Sequence, residues 1–142
     1  MSYAGDVNCK EVFETLSSNP STAMVDVRTT HEWSTIGVPD LSSISKEVVF
    51  AEWQMFPTMQ VNPDFAKQVD EELQSRGVSK EDAVFFLCRS GVRSQGAASA
   101  MTALGYTKTY NILSGFEGTP DASGERAKID GWKHDDLPWK HE

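Results

Sequence analysis

The stretch "DAVFFLCRSGVRSQGAASAMTALGY", residues 82–106, decides the fold. Its first part is a continuous apolar run, the pattern of a central parallel strand covered on both faces. The run stops at Cys88. A basic, glycine-containing loop, "RSGVR", follows at once, and the chain then turns to alanine, serine and glycine. That second part reads as a helix, with Ala97, Met101 and Leu104 on one side and Gly105 able to end it. Its small side chains allow close packing on a sheet.

The same alternation continues outward. "DVNCKEVFETLSSNP" (6–20) reads as a helix capped by Asp6 or Asn8, with Cys9, Val12, Phe13 and Leu16 on one face. "TAMVDVR" (22–28) is a short buried strand, "THEWSTIG" (30–37) one or two helical turns, and "EVVF" (47–50) another short strand. "NPDFAKQVDEELQSRG" (62–77) is the clearest helix. Asn62 is expected to cap it, Pro63 to occupy its first position and Gly77 to close it. Phe65, Val69 and Leu73 make its buried stripe. "TYNIL" (109–113) is the last convincing strand. Strands alternating with helices give an α/β class with a mainly parallel sheet flanked by helices.

The chain has 142 residues, enough for one compact domain with a sizeable core. We expect a single domain over 1–142, with a core over about 6–116, a long polar surface loop over 117–131 and a tail over 132–142. Trp132 and Trp139 are expected to anchor the tail. The formal net charge of −8 argues against general nucleic-acid or anionic-membrane binding, which needs basic patches. The start lacks a signal-peptide pattern, no apolar run is long enough for a span, and two cysteines form no disulfide framework. The expected compartment is the cytoplasm.

Against that acidic background, Cys88 sits beside Arg89 and Arg93. Ligands of open α/β sheets bind at the carboxyl ends of strands, where Cys88 lies. Backbone N–H groups of the loop after it can converge into an anion nest, Gly91 permits the turn, and the following helix adds positive potential. These features favour the thiolate. The bland alternative is an inert buried cysteine. Cys9 reads as a core residue, with a role as resolving thiol for Cys88 as the alternative. Trp53, Phe56 and Phe116 read as core more readily than as a site rim. His31, His134 and His141 lack metal-ligand spacing with the cysteines, so no metal is expected.

Two chemistries use a cysteine in an anion cradle: phosphoryl transfer through a thiophosphate and sulfur transfer through a persulfide. Cysteine-dependent phosphatases place five residues between cysteine and arginine. Here four, "RSGV", separate Cys88 from Arg93. The tighter loop suits one extra sulfur atom better than three phosphoryl oxygens.

"CRSGVRS" (88–94) resembles the active-site loop of the rhodanese family, the single-domain thiosulfate sulfurtransferases. "VDVRTTHEW" (25–33), "YNILSGFEG" (110–118) and "GWKHDDLPW" (131–139) resemble other parts of that family. The "GVPD" turn (37–40) departs from it, with Gly37 where histidine is frequent and Asp40 where glycine is. The resemblance implies that Cys88 is the catalytic, persulfide-forming residue. It implies that Arg89, Ser90, Gly91, Val92 and Arg93 cradle the transferred sulfur, with Ser94 opening the helix behind. It also implies structural roles for Asp26 and Arg28, with Arg28 pairing to Glu32. The expected activity moves a sulfane sulfur from thiosulfate or a related anionic donor to a thiol or cyanide, with no cofactor. The alternative is a persulfide carrier that delivers sulfur to a partner protein, and a cysteine-dependent phosphatase ranks third.

Overall fold

Residues 3–141 are described by the computed structural model. Strands are β1 (Gly5–Val7), β2 (Ala23–Asp26), β3 (Val38–Pro39), β4 (Val49–Phe50), β5 (Gln54–Met55), β6 (Gln60–Val61), β7 (Val84–Leu87), β8 (Thr109–Ile112) and β9 (Trp139–Lys140). Helices are α1 (Cys9–Ser18), α2 (Thr30–Ile36), α3 (Phe65–Ser75) and α4 (Arg93–Ala103). Five strands form a parallel sheet in the order β1-β8-β7-β2-β4, and β3-β9 and β5-β6 are small antiparallel pairs. The α/β class with a parallel sheet flanked by helices is therefore what the chain adopts.

The sheet divides the core into two apolar clusters. Side chains alternate across a strand, so Val84, Phe86 and Cys88 point one way and Phe85 and Leu87 the other. The first set joins Phe65, Val69 and Leu73 of α3 and Ala97, Ala98 and Met101 of α4. The second joins Cys9, Val12 and Leu16 of α1, together with Phe116 and Trp132. The two cysteines thus lie in different clusters, on opposite faces of the sheet. All residues of β7 are buried, which explains its unbroken apolar run.

Several boundaries differ from expectation for local reasons. Residues 5–7 form an edge strand against β8, so Asp6 is not a helix cap; Asn8 is, accepting from the N–H of Glu11 at 2.9 Å. Asn62 and Pro63 precede α3, because the Asn62 side chain accepts from Asp64 N at 3.0 Å and holds a turn there. Leu104 is exposed, since the helix ends at Ala103 and the chain leaves the sheet. Trp132 is fully buried and donates its indole N–H to the Pro138 carbonyl, whereas Trp139 lies on the surface in β9 beneath Lys133 Nζ at 3.9 Å. No helix among the described residues is long and apolar enough to cross a membrane.

Candidate active site

β7 delivers Cys88 to its carboxyl end, where the chain turns through 89–92 into α4. The Sγ atom is buried, and two groups contact it: the Gly91 N–H at 3.1 Å and the Ser94 hydroxyl at 3.2 Å. Gly91 holds φ +95°, and a Cβ there would come within 3.1 Å of Ser114 N. The turn that presents its N–H to sulfur is therefore one that glycine adopts and other residues resist. No side chain caps the start of α4, so the positive end of that helix is directed at the cysteine loop. A second glycine supports the turn from below. At Gly115, with φ +61°, a Cβ would collide with the backbone of Cys88 and Arg89. Close backbone approach there lets Phe116 N–H bond the Cys88 carbonyl at 2.8 Å.

The arginines do not project freely at the sulfur. Arg93 forms a two-pronged pair with Glu32 of α2, at 2.8 and 2.9 Å. Burial raises the Glu32 carboxyl, but the Arg93 pair outweighs it and holds the group below the usual carboxylate range. Arg89 Nε lies 3.0 Å from Glu117 Oε2, without the alignment of a hydrogen bond. Arg28 does not pair with Glu32, contrary to what the family resemblance implies. Its guanidinium is fully buried, reaches back to Asp26 at 2.7 Å, donates to the Gly37 carbonyl at 2.9 Å, and lies 4.3 Å from the Phe116 ring centroid. Glu32 is thereby left to Arg93. Glu32 also completes a capping box with Thr29 at the start of α2.

Phe116 is core, whereas Phe56 is exposed and stacks on His31 at 4.6 Å between centroids. Trp53 is half-buried between Phe65 and α4, with its indole against Gly96. Val92 is strongly exposed at the loop apex and Ser90 is half-buried. Cys9 lies 3.6 Å from the carbonyl oxygens of both Leu113 and Gly115. Burial, then the charges of Asp135 and Asp130, push its thiol up to about 12. Its location behind the sheet from Cys88 removes the geometric basis for a resolving role.

Sequence reading missed Asn111. It is fully buried on β8, faces α4 and meets the Ser94 hydroxyl through its Oδ1. The available signal was a lone amide in the otherwise strand-like run "TYNIL". A buried polar side chain there requires partners.

The model of the rhodanese-like domain matches residues 10–119. The chain belongs to the rhodanese-like domain family. The crystal structure of Rv0390 from M. tuberculosis superposes with a TM-score of 0.89 at 43% identity, covering 99% of this chain and 100% of that one. The uncharacterized protein RC0915 of Rickettsia conorii is 37% identical over 130 residues, 92% of each chain. A shorter similarity, 46% over 41 residues, covers 29% of this chain and 39% of the thiosulfate sulfurtransferase GlpE of Tolumonas auensis. Family membership points to sulfurtransferase-type chemistry.

Proposed function

We propose that this rhodanese-like protein transfers a sulfane sulfur from thiosulfate or a related anionic donor to a thiophilic acceptor, through a persulfide on Cys88. The observation that carries the proposal is the pair of donors, Gly91 N–H and Ser94 O–H, converging on Sγ beneath an uncapped helix start. Donors arranged this way stabilise the Cys88 thiolate, both when it attacks and when it leaves. Support from relatives is the short match to a thiosulfate sulfurtransferase.

In the first half-reaction the Cys88 thiolate attacks the outer sulfur of thiosulfate. The sulfur–sulfur bond of the donor breaks, sulfite leaves with the electron pair, and Cys88 carries a persulfide anion. In the second, a thiolate or cyanide attacks the terminal sulfur and the Cys88 thiolate leaves. Charge and electrons balance without an external oxidant, and the two steps predict ping-pong kinetics. Arg89 through Ser94 would supply the cradle mostly through their backbone, since the guanidiniums of Arg89 and Arg93 face carboxylates.

A second reading has its own observation. Val92, in the cysteine loop, is 70% exposed, and Leu113, whose backbone lies against Gly91, is 44% exposed. Apolar side chains beside the cysteine loop suit a protein acceptor, which would make the chain a carrier that relays sulfur to a partner.

Intact mass after incubation with thiosulfate tests the core of the proposal. A gain of one sulfur, absent in Cys88→Ser, is expected. Absence of the adduct on the native chain overturns it. Turnover with cyanide or a small thiol then separates an enzyme from a carrier that discharges only to protein.

A further inference from the structure

Ser94 has one hydroxyl proton and two buried neighbours able to accept it. Its Oγ lies 3.2 Å from Cys88 Sγ and in hydrogen-bond contact with Asn111 Oδ1. The Asn111 amide cannot be turned around. Its Nδ2 lies 3.0 Å from Asp6 Oδ1 and 3.0 Å from the Gly91 carbonyl, and both of those oxygens only accept. Both amide hydrogens are therefore committed, and Oδ1 faces Ser94 as an acceptor. Cys88, Ser94 and Asn111 are all buried, at 1%, 0% and 0% exposure, so bulk water is not at hand to supply a missing partner.

We infer that Asn111 is a positioning residue that competes with Cys88 for the Ser94 proton and thereby sets how readily the cysteine ionises. With sulfur protonated, the S–H donates to Ser94 Oγ and Ser94 donates to Asn111, so every group is satisfied. When the thiol proton leaves to solvent, the thiolate needs a donor. The Ser94 hydroxyl rotates to it, and Asn111 Oδ1 becomes a buried acceptor without a partner, which is costly. Sulfur transfer reverses the rotation. Once Sγ carries a sulfane sulfur it no longer holds the negative charge, and the Ser94 proton returns to Asn111. The pair thus couples hydroxyl orientation to the charge on Sγ.

The charged groups around this switch are largely compensated. Arg93 of α4 is paired with Glu32 of α2, Arg28 with Asp26 of β2, and Arg89 of the loop with Glu117, each within 3.0 Å. Asp6 of β1 accepts from Asn111 Nδ2 and from Tyr3 Oη, each at 3.0 Å.

The inference rests on Cys88 being the sulfur-carrying group, but its test reads the thiol directly. The pH dependence of Cys88 alkylation by iodoacetamide is followed by mass spectrometry in the native chain, Ser94→Ala, Asn111→Val and the double variant. Ser94→Ala removes the donor, so the midpoint moves up by about one pH unit, roughly a tenfold change in thiolate at fixed pH. Asn111→Val frees the Ser94 proton for sulfur, so the midpoint moves down by about half a unit or more. The double variant matches Ser94→Ala, because Asn111 acts only through the hydroxyl. An upward shift or no shift in Asn111→Val overturns the inference. So does an Asn111 effect that persists without Ser94, the signature of simple loosening of the Gly91 loop. Asn111→Ala, subject to the same criteria, replaces the valine variant if that one melts below the assay temperature. Persulfide formation from thiosulfate is scored separately. Opposite shifts without an adduct retain the switch and reject the sulfurtransferase proposal; an adduct without opposite shifts does the reverse.

Discussion

Two thiols with near-equal burial have opposite surroundings. Cys88 faces an N–H and a hydroxyl, whereas Cys9 faces two carbonyl oxygens and nearby carboxylates. Acceptors and negative charge disfavour a thiolate; donors favour it. Iodoacetamide at neutral pH is therefore expected to label Cys88 at least about a hundredfold faster than Cys9, which is held near 12. Peptide mapping checks this, and labelling of Cys9 at a comparable rate would contradict it. Arg93 is the other residue whose role follows from its neighbour. With its charge answered by Glu32, Arg93→Ala is expected to lower kcat/KM for thiosulfate and for a neutral persulfide donor by similar factors. A loss confined to thiosulfate would instead assign Arg93 to anion binding. Because the folded Glu32 carboxyl is held low, its pairing stabilises the fold fully above the unfolded value of about 4.3 and loses that contribution as pH falls through the lower folded value. Glu32→Gln should flatten the acid limb of a stability–pH curve.

Among the elements, the turn leaving β2 carries the largest buried charge. Asp26 and Arg28 are both 0% exposed and neutralise each other at 2.7 Å. Breaking such a pair leaves an uncompensated buried ion. Arg28→Ala is expected to cost about 3–5 kcal/mol in urea unfolding, with Asp26→Asn similar. A loss under about 1 kcal/mol for both would mean the turn tolerates the lone charge. The turn after β8 is constrained differently, by backbone approach. Gly115→Ala places a methyl against the Cys88 carbonyl in a left-handed conformation that costs about 1–2 kcal/mol by itself. The collision adds to that, and because it acts on the cysteine turn, we expect slower Cys88 alkylation along with the lower melting temperature. Unchanged alkylation would show that the turn can shift without moving the thiol.

At the scale of the whole molecule, a chain of net charge −8 repels a doubly negative donor, and the site arginines do little to offset this because each is paired. Screening weakens that repulsion over a Debye length of about 10 Å at 0.1 M salt. The kcat/KM for thiosulfate should therefore rise as ionic strength increases from about 10 to 150 mM, with little change for a neutral donor. A fall with salt would reveal a net attractive field at the site mouth.

What the sequence determined by itself was carried by local pattern. The apolar run ending at Cys88, the small-residue helix after it and the stripe of Phe65, Val69 and Leu73 are periodicities that burial imposes residue by residue. The alternation of elements follows, and with it the parallel sheet and the placing of a cysteine loop at a strand end. Strand β1 was not legible, since three residues of mixed polarity become a strand only because β8 offers an open edge. Tertiary structure alone decided the partners. Arg93 and Glu32 are 61 residues apart, and Asn111 meets Asp6 across 105. No local spacing encodes such contacts; they arise when the strand order brings β1 and β8 beside β7 and sets α2 against the start of α4. The same physical distinction separates the two cysteines. The basic, glycine-containing loop already marked Cys88 as a thiol beside donors, whereas only the folded sheet set Cys9 against the Leu113 and Gly115 carbonyls.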